Sequence, residues 1–174
     1  MLSYIVNDIK NAFCYIPESV MAAIACVFIV CICKMRPSRK DMIRVSVQTF
    51  VLVFYVLIIL DIAIFSRLTS SHVEVEVTLS RLWTSSARSN AYVIENILFF
   101  IPFGCILPFV FDRMRNVLLA TCTGLLFSVG LEAVQYVTRR GFVQLSDVLM
   151  NTLGTLIGWL VFFTISRLIK AVKK

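Results

Sequence analysis

Long apolar runs alternate with short polar breaks along the 174-residue chain, near residues 18–34, 45–65, 91–111, 117–137 and 145–166. A bilayer core roughly 30 Å thick needs about 20 mainly apolar residues per helix. The pattern therefore predicts an all-α, polytopic transmembrane bundle of about five spans, with residues 1–174 forming a single membrane domain. Ahead of the first span, Ile5, Ile9, Phe13 and Ile16 recur every three or four positions, the spacing of an amphipathic helix lying on a surface. A frayed extension of the first span reads equally well. Pro17, followed by Glu18 and Ser19, suits a helix's first turn, where proline loses no needed donor.

Residues 66–90 are the one long connection, expected on the outer side. Within it Val73 to Leu79 alternates with period two, as a half-buried strand does. A lone strand is unstable, so this one must fold over the helices as a lid or pair with another chain, unless the segment stays a mobile loop. Trp83 fits an interfacial anchor. The third span carries Pro102 and Pro108, each removing a backbone donor and clashing with the carbonyl four residues earlier. Such a span should face its neighbours, since freed backbone groups at membrane depth need protein or a polar cavity to satisfy them.

Composition agrees: 59% of residues are hydrophobic and 16% charged, against about 45–50% and about 25% in soluble domains. The net charge of +7 reports orientation rather than nucleic-acid binding, because cytoplasmic loops are enriched in Lys and Arg. With the N-terminus outside and the C-terminus inside, eleven cations fall inside: Lys34, Arg36, Arg39, Lys40, Arg44, Arg113, Arg115, Arg167, Lys170, Lys173 and Lys174. Lys10, Arg67, Arg81, Arg88, Arg139 and Arg140 fall outside. No basic region precedes the first apolar core, so the N-terminus reads as mature rather than as a signal peptide. The cysteines lack metal or redox spacing and read as packing residues. With His72 the sole histidine, no metal and no cofactor is expected.

Several polar residues stand inside the predicted spans: Asp61, Glu95, Asn96, Glu132, Gln135, Asp147 and Asn151, with Arg139 and Arg140 just past a helix end. All map to the outer halves. Ser128, Glu132 and Gln135 share one helical face, as do Asp147, Asn151, Gly154 and Gly158. Gly154 and Gly158 also form a small-xxx-small pattern that permits close helix approach. A charged carboxylate at mid-bilayer costs about 2.5–3.5 kcal/mol and is functional by default. The plain alternative is a buried ion network in which Arg139 or Arg140 bridges Glu132 and Asp147.

The segments Glu95-Asn-Ile-Leu-Phe-Phe-Ile-Pro-Phe-Gly104, Glu132-Ala-Val-Gln135 and Asp147-Val-Leu-Met-Asn-Thr-Leu-Gly154, in that order, resemble the VanZ-like membrane proteins. The likeness covers roughly residues 90–160. It implies a small bacterial protein of the cell membrane, linked to reduced susceptibility to the glycopeptide antibiotic teicoplanin, with the family's polar residues at Asn96, Glu132, Gln135, Asp147 and Asn151 and an arginine at Arg140; these six are taken as the candidate ligand-binding residues. Where many relatives carry another acid, this chain has Gln144, so a mechanism needing two carboxylates in the last motif lacks one here.

Two activities follow as expectations. The first is binding of a lipid-like ligand, a membrane lipid, a lipid-linked envelope molecule or a lipoglycopeptide, at the outer polar cluster. The second is a membrane enzyme that modifies a lipid-linked precursor, with Glu132 or Asp147 as catalytic general base and Arg140 on an anionic headgroup. A transporter ranks third, since internal repeats are absent. The oligomeric state stays open.

Overall fold

The computed structural model describes residues 1–33, 38–65, 75–79 and 83–173. The described residues form six α-helices: α1 (Leu2–Ala12), α2 (Ile16–Cys33), α3 (Arg39–Leu60), α4 (Ala87–Val110), α5 (Val117–Thr138) and α6 (Leu145–Val172). Among the described residues five helical stretches are long and apolar enough to cross a membrane; the first joins α1 to α2 through a 3-10 turn at Phe13–Tyr15. The expected all-α bundle of five spans is what the chain forms. The basic turn begins outside the described residues, as do His72, Arg67 and Arg81.

Local chemistry sets the helix ends. Ser38 caps α3 by accepting from the Asp41 N–H, Ser86 caps α4, and Asn116 caps α5 by accepting from Leu118 and Leu119, each satisfying orphan donors of a first turn. At the other end of α5 the chain closes in a Schellman motif, with Arg140 N–H donating to the Gln135 carbonyl at 3.1 Å and Arg139 N–H to that of Tyr136 at 3.3 Å. Arg139 takes the left-handed position at φ 55°, and Gly141 follows at φ 84°. α3 ends in a π-turn, Asp61–Phe65.

α4 lies deepest, packed against α1, α3, α5 and α6. It runs through Pro102 and Pro108 without a break, and its neighbours bond its backbone at other carbonyls: Tyr55 Oη donates to the Phe99 carbonyl at 2.7 Å, and Gln48 Nε2 to the Phe109 carbonyl in the last turn at 2.7 Å. The expectation that this span faces other helices holds. Phe100, Phe103 and Leu107 join Ile59, Ile64, Ala120 and Leu131 in the apolar core, with the Phe103 and Phe127 rings stacked at 4.9 Å.

The tightest contact is between α4 and α6, and glycine permits it. A Cβ on Gly154 or Gly158 would fall on the Ile97 or Ile101 carbonyl oxygen, and one on Gly104 on that of Thr155. The Cys105 thiol donates to the Gly158 carbonyl at 3.0 Å. These contacts set α4 parallel to α6. α5 runs the other way, since Ser128 meets Asn151 while the Met114 carbonyl just before α5 accepts from Trp159 Nε1. The same logic sets α3 against α4 and α2 against α3, through Tyr55 and Phe99 and through Cys31 and Ser46.

The starts of α2, α4 and α6 therefore meet the ends of α3 and α5. This is the polar end of the bundle. The opposite, basic end carries Arg39, Lys40, Arg44, Arg113 and Arg115, and the last turns of α6 with Arg167, Lys170 and Lys173. At about 1.5 Å per residue the 28 residues of α6 exceed a bilayer core, so its basic turns project beyond the apolar slab. The amphipathic stripe of α1 is only partly used: Ile5 is buried, whereas Ile9 and Phe13 are exposed. Arg88 at the start of α4 holds α1 from above, its guanidinium 5.7 Å from the Tyr4 ring centre.

Candidate functional site

Ser128, Glu132 and Gln135 are buried along one face of α5 at the polar end, and Asp147, Asn151 and Thr155 are buried along α6. The 3.6-residue period alone brings each set onto one face, and the glycine packing of α6 on α4 fixes the depth at which the two faces meet. Asn151 Nδ2 donates to Ser128 Oγ at 2.8 Å, and Thr155 Oγ1 to the Asn151 carbonyl at 3.0 Å. Thr155 reaches that position because Gly124 and Gly104 leave room for it from both sides.

Glu132 is anchored to the entry of α6, where one Oε accepts from the Gln144 backbone N–H at 2.9 Å. Asp147 sits in the first turn of the same helix and accepts from Ser146 Oγ at 3.5 Å. Both carboxylates thus lie where the positive end of the helix dipole favours negative charge. Gln144 matters here through its backbone.

The end of α3 closes the layer. Gln135 Nε2 donates to the Ala63 carbonyl at 2.9 Å, and Arg140 Nη1 reaches the Ile64 carbonyl at 3.5 Å. Both acceptors belong to the π-turn, in which the usual i to i−4 ladder is interrupted. Asp61 opens that turn and accepts from Ser19 Oγ of α2 at 3.1 Å. Arg140 is half-buried and Arg139 exposed. Glu95 is buried and Asn96 half-buried on α4; because Ile97 packs on Gly154, both stand at the level of Thr152 and Leu153, next to Asn151.

All six sequence-predicted ligand-binding residues, Asn96, Glu132, Gln135, Arg140, Asp147 and Asn151, therefore lie in one layer at the polar end. Direct side-chain bonds couple Asn151 to α5, Gln135 and Arg140 to the π-turn, and Glu132 to the loop before α6. Asn96 joins by depth. Three side-chain amide atoms in the layer are buried without a hydrogen-bond partner: Asn96 Nδ2, Gln135 Oε1 and Asn151 Oδ1. Buried polar atoms are nearly always partnered by protein or water, so these mark places where water or a ligand is received. Among the described residues no three His, Cys, Asp or Glu side chains gather as a metal set.

Over this layer lies a strand pair. Val75–Glu76 (β1) pairs in parallel with Val143–Gln144 (β2), Val75 opposite Val143 and Glu76 opposite Gln144. The period-two segment thus finds its partner within its own chain, beside the Glu132 anchor. Ser19, Ser146, Thr155 and the π-turn were not among the residues the sequence pointed to. Thr155 was within reach, since it follows Asp147 and Asn151 at the same four-residue interval; the others depend on contacts distant in sequence.

The family model described as VanZ/LLP1 matches residues 20–167 of the chain. Comparison with curated proteins and with solved structures gave no match.

Proposed function

The chain belongs to the VanZ/LLP1 family, and from that premise we propose that it is a bacterial cell-membrane protein that lowers susceptibility to lipoglycopeptide antibiotics of the teicoplanin kind by binding a lipid-like ligand at its polar layer. The observation that carries this reading is the convergence of five helices on one buried polar layer that leaves the Gln135 and Asn151 carbonyl oxygens without partners. Each unmet buried group costs about 1–3 kcal/mol, so these oxygens are places where water or a ligand's donors are received. In this reading the polar end faces outward and the basic end the cytoplasm, which the excess of Lys and Arg at the basic end supports. An outward site suits antibiotics that act outside the membrane and carry an acyl chain.

The test is expression of Glu132→Gln, Asp147→Asn and Asn151→Ala chains in a susceptible host, with teicoplanin and vancomycin susceptibility read beside the lipid and precursor profile. Wild-type protein is expected to raise the inhibitory concentration of teicoplanin at least fourfold and each variant to return it to the empty-vector value, with lipid pools unchanged. Precursor pools altered by the wild type and restored by the variants would instead assign the layer to carboxylate acid–base chemistry. Three folded variants that behave as wild type would reduce the layer to a structural network.

A further inference from the structure

The unmet atoms of the polar layer also say what kind of headgroup it accepts. The Gln135 amide can be oriented in one way only: its Nε2 faces the Ala63 carbonyl at 2.9 Å, which accepts and cannot donate, so the atom left over is the acceptor Oε1. Asn151 gives its Nδ2 to Ser128 and likewise leaves Oδ1. Both side chains are more than nine-tenths buried, at 2% and 5% exposure. Seven residues of α5 separate Gln135 from Ser128, about 10 Å along the axis, so the two acceptors mark the ends of a strip of headgroup size. Glu132 lies between them on the same face. Asn96 Nδ2 is a buried donor of the layer that has no hydrogen-bond partner among the described residues.

Charge points the same way. Among the described residues the polar end holds Asp8, Glu18, Asp61, Glu76, Glu95, Glu132 and Asp147 against four cations, whereas the basic end holds Asp41 and Asp112 against eight. The polar end is therefore the net negative end of a protein whose total charge is +7. An acceptor-only anion such as a phosphate monoester would face unmet acceptors in a negative field. A headgroup rich in N–H or O–H donors would meet both acceptors and be drawn by the field.

We infer that the ligand of the polar layer carries a donor-rich headgroup, ammonium-bearing or hydroxylated, whose hydrogens are taken by Gln135 Oε1 and Asn151 Oδ1. This rests on the proposal that the layer binds a lipid-like molecule and adds the chemistry it selects. Such a headgroup has two sources, a lipid of the bilayer or the sugars and amine of an acylated glycopeptide.

The test uses the full chain in detergent micelles, with retention read by native mass spectrometry for phosphatidylethanolamine, monoglucosyl diacylglycerol, phosphatidylcholine, phosphatidic acid and teicoplanin. Phosphatidylcholine keeps the acyl chains and charge of phosphatidylethanolamine but has no headgroup donors. The donor-bearing ligands are expected to be retained at least tenfold more than phosphatidylcholine or phosphatidic acid. The preference should be lost in Gln135→Met and in Asn151→Leu, with the melting temperature of each showing that it folds. Preference for teicoplanin alone assigns the antibiotic as the source, and preference for the two donor-bearing lipids assigns the bilayer. Equal retention of donor-bearing and donor-free lipids would overturn the inference while leaving lipid binding intact; retention of none of the five would overturn both.

Discussion

A Gly158→Val chain is expected to yield almost no folded protein, read as loss of the monodisperse peak in detergent and of a cooperative melting transition. The added Cβ would fall on the Ile101 carbonyl oxygen and lie 3.0 Å from the Cys105 nitrogen. Backbone on both sides cannot swing away as a side chain does, so the cost is at the upper end of overpacking, about 3 kcal/mol or more. Helices in lipid gain little from apolar burial against each other and depend on close packing instead, so nothing else along α4 and α6 offsets the loss. The paired control is Gly130, whose Cβ would meet nothing within 4 Å; Gly130→Ala should melt at or above the wild-type temperature, by the helix propensity of about 1 kcal/mol that alanine holds over glycine. Equal melting of Gly158→Val and wild type would mean that the glycine face of α6 is not what seats it on α4.

Glu132→Leu is the second large effect, and it separates fold from function. Leucine strips the Gln144 N–H of its acceptor and should lower stability by about 1–3 kcal/mol. Glu132→Gln keeps an oxygen in that place and should lose less, while still failing to alter teicoplanin susceptibility. Thermal unfolding of the two variants side by side checks the first half. Equal melting of the leucine and glutamine variants would show that the Gln144 contact does not anchor the entry of α6.

The sequence made the five spans legible because bilayer thickness demands a minimum apolar length, and lipid leaves the chain few alternatives to helix. The polar layer was legible for a related reason. A carboxylate or amide inside a span is costly enough that its presence carries meaning, and helical spacing alone put Ser128, Glu132 and Gln135 on one face and Asp147 and Asn151 on another. The partners of those groups were not legible. The sequence offered an arginine as the bridge between Glu132 and Asp147; it gave no sign that a Glu132 oxygen also meets a backbone N–H twelve residues on, a contact set by the turn through Arg139 and Gly141. Nor does any local pattern reveal that Val75 pairs with Val143, that the π-turn offers its carbonyls to Gln135 and Arg140, or that Ser19 binds Asp61. Each depends on how helices far apart in the chain are seated. The small-xxx-small pattern announced a close approach but not its partner, which is α4.

The central claim is that the polar layer takes an acylated ligand from the outer side. Teicoplanin carrying a diazirine on its glycopeptide portion, added to intact cells expressing the chain, photolysed and mapped by peptide mass, addresses side and site together. Crosslinks are expected within residues 128–151, on the α5 and α6 segments that hold Glu132, Gln135, Asp147 and Asn151, and should disappear in Asn151→Leu. Labelling confined to the exposed faces of α2 and α3, or labelling that appears only after the cells are broken open, would contradict it.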